Sequence, residues 1–291
     1  MANLKEVRNR ITSVISTQQI TKAMKMVSAA KLRRAQDAII LLRPYASKLR
    51  EIMENISGTL EGNAGGQFAV VRPVSKVLIV AISSNRGLCG AFNTNINRTV
   101  SRMIREKYPV QSKNGNVKVL AIGKKSSDFF SKLFDNYAGQ HNDVYNSLSF
   151  EKVSAVAEEI MKQFAAGDYD KIEIVYNQFK NAAVQNVITE QLLPIVSSQV
   201  KSKTVNDYIF EPGKEELVLE MIPKAVKIQL YKAVLDSHAS EHGARMTSMS
   251  KATDNAGEIL RDLRLSYNKA RQAAITGEIL EIVGGAEALK G

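Results

Sequence analysis

The stretch LKEVRNRITSVISTQQITKAMKMVSAAKLRRAQDAIILL, residues 4–42, decides how this chain folds. Stepping through it by three and four residues from Leu4 meets Val7, Ile11 and Val14, and the same step regains Leu32, Ala35, Ile39 and Leu42. Continued to Ala46, Leu49, Met53 and Ile56, the step is apolar at twelve of sixteen positions, a coiled-coil seam rather than the face of a globular helix. The four failures are consecutive: Gln18, Thr21, Lys25 and Ser28. There Ile20, Met24 and Val27 lie on a rotated face, so the buried stripe is expected to shift phase locally and leave another partner to grip the released face. Pro44 removes one helical hydrogen bond, but the step resumes at Ala46, so one bent helix is expected over residues 1–57.

The other end of the chain repeats the pattern. Ala239, His242, Met246, Met249, Thr253, Ala256, Leu260, Leu263, Tyr267, Ala270 and Ala274 keep strict 3-4 spacing, and Ala and Met dominate this seam, which allows close approach of two backbones. At ~1.5 Å rise per residue, 224–288 makes a rod of roughly 100 Å and 3–57 one of roughly 80 Å. Neither can bury its stripe alone, and a compact middle separates them, so antiparallel pairing is expected. The glycines of GTLEGNAGG, residues 58–66, cannot hold a helix, and Glu211-Pro212-Gly213 is a turn-forming stretch. The organisation expected is a helix over 1–57, a linker over 58–74, an α/β domain over 75–210, and a second helix over 211–291 that completes a discontinuous shaft.

Composition narrows the class. Across 291 residues the net charge is +11, apolar residues make up 44%, and Trp is absent, so the chain can bury a core but is lean in pocket-building aromatics. Residues 1–57 carry eleven Lys or Arg against four Asp or Glu, while 58–223 carry nineteen against seventeen and 224–291 ten against eight. Most of the basic excess therefore belongs to the first helix, which points to an acidic partner. Cys89 is the single cysteine, excluding an intramolecular disulfide and a cysteine-cluster metal site. No apolar h-region opens the chain, and its longest clean apolar run, residues 77–82, is far short of the ~18 residues of a membrane span. A soluble intracellular protein is expected.

In the middle zone residues 76–82, 117–122 and 171–176 read as strands, and 93–107, 124–134 and 151–166 as helices. Strands alternating with helices imply βαβ units and a largely parallel sheet. After the first strand comes Ser83-Ser84-Asn85-Arg86-Gly87-Leu88-Cys89-Gly90, at the place where such folds cradle phosphate. It fits neither GxGxxG nor GxxxxGK[ST], so a tight turn beside a helix cap is the better reading. His238-Ala-Ser-Glu241-His242 fits the H-x-x-E-H zinc pattern, but His242 sits on the seam and a third ligand is missing. No nucleophile–base pair or carboxylate pair emerges, and no cofactor is expected.

The terminal stretches carry a resemblance. Residues 11–14 (ITSV) with 19–36 (QITKAMKMVSAAKLRRAQ), and residues 244–255, 267–276 and 281–288, closely resemble the two signatures of the gamma subunit of F-type ATP synthases, and Asn85-Arg86-Gly87-Leu88-Cys89-Gly90 looks like that family's central loop, which usually has Asp before Arg. The resemblance implies a Rossmann-like central domain plus a long antiparallel coiled coil of the two terminal helices. It implies a non-catalytic rotor shaft that couples proton-driven turning of the membrane c-ring to the catalytic beta subunits, with alpha, beta and epsilon subunits as partners. The place would be the cytoplasmic face of a bacterial inner membrane. Met24, Lys25, Arg245, Arg271, Gln272 and Thr276 match positions of beta-subunit contact and torque, Tyr208 and Glu211 a loop resting on the c-ring, and residues 279–289 a tip turning in an apolar collar. Gly277 stands where the family commonly has Gln, and Gly243 costs the helix up to ~1 kcal/mol relative to Ala. The competing expectations are a basic coiled-coil nucleic-acid-binding protein and an α/β nucleotide-dependent enzyme using Gly87 and Gly90. A basic-region zipper concentrates its charge ahead of clean heptads, whereas here Lys and Arg are threaded through them.

Overall fold

The computed structural model describes residues 4–57, 66–133, 137–195 and 214–288. The first helix, α1, runs unbroken over Leu4–Ser57 with Pro44 inside it. The α/β region follows as β1 (Val77–Ile82), α2 (Phe92–Glu106), α3 (Pro109–Lys113), β2 (Val117–Ile122), α4 (Lys124–Leu133), β3 (Tyr137–Gln140), α5 (Phe150–Ala166), β4 (Lys171–Phe179) and β5 (Gln185–Leu193). The last helix, α6, spans Lys214–Ala288 and contains Pro223. The described residues form two compact units: those up to Ser28 with those from Met246 onward, and those from Ala29 to Arg245.

The sheet has the order β3-β2-β1-β4-β5. β1 lies between β2 and β4, parallel to both, and β2 pairs in parallel with β3. β5 returns antiparallel along β4. The sequence VLIVAI puts an apolar side chain at every position of β1 because helices cover both its faces, and all six residues are buried. Leu78, Val80 and Ile82 face Val153, Ile160 and Phe164 of α5 with Val226, Leu230 and Val234 of α6. Val77, Ile79 and Ala81 face Phe92, Ile96 and Val100 of α2 with Phe130 of α4. Ala244 of α6 belongs to this second cluster, so the helix starts on the α5 side and passes over the strand ends to the other. β3 and β5 escape sequence reading: β3 is a half-exposed four-residue edge, and QNVITEQLL mixes polar and apolar residues without clean alternation.

In the first unit α1 and α6 pair antiparallel, with Gln18 Nε2 donating to the Thr253 carbonyl (3.4 Å), Thr253 Oγ1 meeting Thr21 Oγ1 (2.8 Å) and Lys25 Nζ donating to Ser250 Oγ (2.9 Å). The expected phase shift does not occur. Thr21 and Ser28 are buried and Gln18 is half-buried, all still on the 3-4 step, and of these four only Lys25 is exposed. Of the rotated face Met24 is half-buried, whereas Ile20 and Val27 are about 60% exposed. A polar side chain can stay in a seam when its hydrogen bonds are made there, so the step continues and its chemistry changes instead. The α6 seam is as expected: each position from Ala239 to Ala274 on the 3-4 step is buried or half-buried. In the second unit the pairing is also antiparallel, with Arg43 of α1 3.6 Å from the buried Asp236 of α6 and Ile52 packed on Ile222.

Candidate functional site

Parallel α/β sheets bind ligands beyond the carboxyl ends of their strands, where the strand order reverses; here that crevice lies between β1 and β4. The loop after β1 is closed on itself. Ser84 Oγ donates to the Arg86 carbonyl (2.7 Å), and Asn93 Nδ2 donates to Ser84 Oγ (2.8 Å) and Cys89 Sγ (3.2 Å). Burial pushes the Cys89 thiol up, so it is a packed thiol rather than a thiolate nucleophile. Gly123 ends β2 at φ +115, where an added Cβ would stand 2.3 Å from the Ser83 carbonyl oxygen. That contact holds the start of α4 against β1. The first α4 amides are then consumed internally: Lys124 N by Asn85 Oδ1 (3.0 Å), Lys125 N by the Ser84 carbonyl (3.0 Å), Ser126 N by Ser83 Oγ (3.0 Å) and Ser127 N by the Gly123 carbonyl (3.2 Å). An anion at this helix end would find no free donors among them.

The crevice itself is filled by α6. Ser237 Oγ donates to the Ile82 carbonyl at the end of β1 (3.3 Å), and Ser240 Oγ to the Asn177 carbonyl of β4 (2.9 Å). Arg245 Nη2 donates to the Arg86 carbonyl (3.0 Å), and Nε and Nη2 to the Gly87 carbonyl (3.3 and 3.2 Å). The loop that would offer amides to a phosphate therefore turns carbonyls to a guanidinium. This geometry rules against the nucleotide-enzyme expectation.

Arg245 is only 6% exposed, and its Nη1 pairs with Glu241 Oε1 at 2.6 Å. Desolvation pushes the Glu241 carboxyl up, and the guanidinium works against that. Arg245 Nη1 also lies 3.3 Å from His242 Nδ1. A guanidinium only donates, so His242 accepts on Nδ1 and carries its proton on Nε2, which lies 3.2 Å from His238 Nε2. Burial lowers His238 to about 4 and His242 to about 3, with Arg245 and Lys31 adding to the effect, so both rings are neutral at pH 7. Tyr145 stacks on His238 at 5.9 Å. The H-x-x-E-H spacing does bring its two imidazoles together, but Glu241 is committed to Arg245. Among the described residues no three His, Cys, Asp or Glu converge on a metal position.

The other residues singled out in the sequence lie apart from this cluster. Met24 is half-buried, and Lys25, Arg271, Gln272 and Thr276 are exposed on the helix pair of the first unit. Tyr208 and Glu211 lie outside the described residues. A cleft of about 350 Å³ is lined by Gln18, Thr253, Asp254, Gly257, Glu258 and Arg261. From Ile275 on, α6 exposes Ile279, Leu280, Ile282 and Val283, each more than half accessible. Ser237 and Ser240 were not found by sequence reasoning. Their signal was two hydroxyls three residues apart, on one face of the helix.

The family model described as ATP synthase matches residues 3–289. An ATP synthase gamma chain of Flavobacterium johnsoniae is 59% identical over 293 residues, covering all of both chains. The chain belongs to the ATP synthase gamma-chain family. A gamma chain of Cytophaga hutchinsonii is 53% identical over 99% of each chain. Among solved structures, a chain of the Euglena gracilis mitochondrial ATP synthase superposes with a TM-score of 0.72 at 25% identity, covering 98% of this chain and 94% of that one. A chain of the Tetrahymena thermophila mitochondrial ATP synthase central stalk and c-ring superposes with a TM-score of 0.59 at 27% identity, covering 80% and 99%. The fold class expected from the terminal helices and the α/β middle is borne out. No described helix is long and apolar enough to cross a membrane.

Proposed function

We infer that this chain is the central rotor shaft of an F-type ATP synthase, coupling proton-driven rotation of a c-ring to the conformational cycle of catalytic beta subunits, in synthesis and in hydrolysis. The observation that carries the reading is the full-length gamma-chain match laid over an antiparallel helix pair whose outer face is basic and apolar at once. Such a face suits contact with an enclosing ring better than solvent, because Ile20, Met26 and Val27 have no partner seam of their own. The chain itself is a non-catalytic subunit. Its work is mechanical.

In this reading Met24, Lys25, Arg271, Gln272 and Thr276 meet the beta subunits, and the exposed apolar end of α6 turns in a collar of the alpha–beta hexamer. Tyr208 and Glu211 rest on the c-ring, epsilon binds beside them, and the complex sits at the cytoplasmic face of the cell membrane. Arg245 is placed with the same beta-contact and torque residues. Its partners within this chain are the carbonyls of Arg86 and Gly87, Glu241 and His242, which hold the guanidinium in one orientation for that role. The basic nucleic-acid reading has no support from the family match.

Co-expression with alpha and beta subunits tests the assignment. The purified hexamer should retain this chain and lose ATP hydrolysis when it is omitted; a hexamer indifferent to its presence refutes the reading. Cross-linking a cysteine at position 271 to a beta subunit should stop turnover, and reduction should restore it.

A further inference from the structure

We propose that Ser237 and Ser240 set the rotational position of α6 against the sheet and so carry twisting load between the α/β domain and the helix, a proposal that rests on the rotor reading above. Both residues are fully buried. Apolar packing holds the preceding turns, Val226, Leu230, Ala233 and Val234, against the sheet and α5. Such packing resists separation strongly but is non-directional, so it resists rotation of a helix about its own axis less than directed bonds do. Hydrogen bonds to fixed carbonyls supply the missing direction.

The spacing of the two serines fits the sheet beneath them. Residues three apart lie on one helix face and rise about 4.5 Å along the axis. Neighbouring strands lie about 4.8 Å apart. A helix passing over the strand ends therefore sets one serine above each of two adjacent strands, as observed: Ser237 on the Ile82 carbonyl of β1 and Ser240 on the Asn177 carbonyl of β4. Helical serines commonly bond to the carbonyl one turn back on their own helix. Here both hydroxyls reach outward to the sheet. One turn further, Gly243 brings the helix backbone against Ala182, where an added Cβ would stand 3.2 Å from the Ala182 Cα. Arg245 then closes on the carbonyls of Arg86 and Gly87. The helix is thus fixed to β1, β4 and two loops within nine residues, and a turn about its axis breaks directed bonds at each.

The test uses the assembled complex, with a reporter particle on the α/β domain and the catalytic hexamer stalled. In Ser237→Ala/Ser240→Ala the angular variance of the particle should rise at least about two-fold, with hydrolysis by the alpha–beta–gamma complex close to wild type. Val234→Ala removes apolar packing from the same stretch and controls for general loosening; it should leave the variance at the wild-type level. Unchanged variance in the serine variant, or an equal rise in Val234→Ala, overturns the proposal while leaving the rotor reading intact. A wild-type chain that does not assemble with alpha and beta subunits overturns both.

Discussion

Asn85 donates Nδ2 to the Asn142 carbonyl at 2.8 Å and accepts the Lys124 amide on Oδ1 at 3.0 Å. The family's usual Asp could cap α4 in the same way but could not donate. Asn85→Ala should therefore cost about 1–3 kcal/mol, while Asn85→Asp, keeping the acceptor at a helix N-terminus, should cost less than about 1 kcal/mol; urea unfolding of the two variants separates them. Gly243 has a comparable local logic. Read from sequence it is a helix defect, and in the fold it is the point where the α6 backbone meets the hairpin joining β4 and β5. Gly243→Ala gains helix propensity and loses space, so the two effects oppose each other. Gly243→Val should destabilise by about 2 kcal/mol or more, because a branched side chain cannot fit where one carbon already stands 3.2 Å from backbone.

Along the elements, the polar run Gln18, Thr21, Lys25 and Ser28 is the informative feature. Replacing both partners of a buried polar contact by apolar groups is neutral or stabilising. Thr21→Val/Thr253→Val, which replaces both hydroxyls of one contact, should accordingly leave the unfolding free energy unchanged or raise it by up to about 1 kcal/mol, and a clear fall would mean this bond contributes more than an ordinary one. Gly277 faces open space on α6, and Gly277→Ala should strengthen the helix by about 1 kcal/mol, read as higher far-ultraviolet helicity. Both long helices, β1, β2, β4 and the three main helices of the middle were legible, because long periods and clean apolar runs are set by the chain's own pattern. The phase shift at Gln18 was misread because a 3-4 count scores polarity and not satisfied hydrogen bonds. The buried Glu173 was invisible for the same reason: its partners Lys107 (2.6 Å) and Lys171 (3.4 Å) converge on it only in three dimensions. The crevice anchors Ser237, Ser240 and Arg245 needed the sheet order before their targets existed.

At the scale of the molecule, the neutral imidazoles of His238 and His242 make stability depend on pH. Their folded values, about 4 and about 3, lie below the ordinary 6.5, so between roughly pH 6.5 and 4 the unfolded chain binds more protons. Their contribution is fully present above pH 6.5 and is lost as pH falls, with a slope up to about 1.4 kcal/mol per pH unit for each proton. The raised carboxyls of Glu241 and Asp236 act in the opposite sense at acid pH, since the folded state holds their protons more tightly. His238→Gln/His242→Gln should flatten the fall between pH 6.5 and 5 in urea titrations; an unchanged slope would place its origin elsewhere. The position of α6 in the chain has another consequence, for synthesis on the ribosome. The helix that fills the sheet's crevice and completes both seams is made after everything it packs on, so α1 waits with its apolar stripe uncovered while more than 150 residues are added. At ~5–20 residues per second that wait lasts on the order of ten seconds or more. During it, the hydroxyls and amide at positions 18–28 interrupt the apolar stripe along which two nascent copies could zip together.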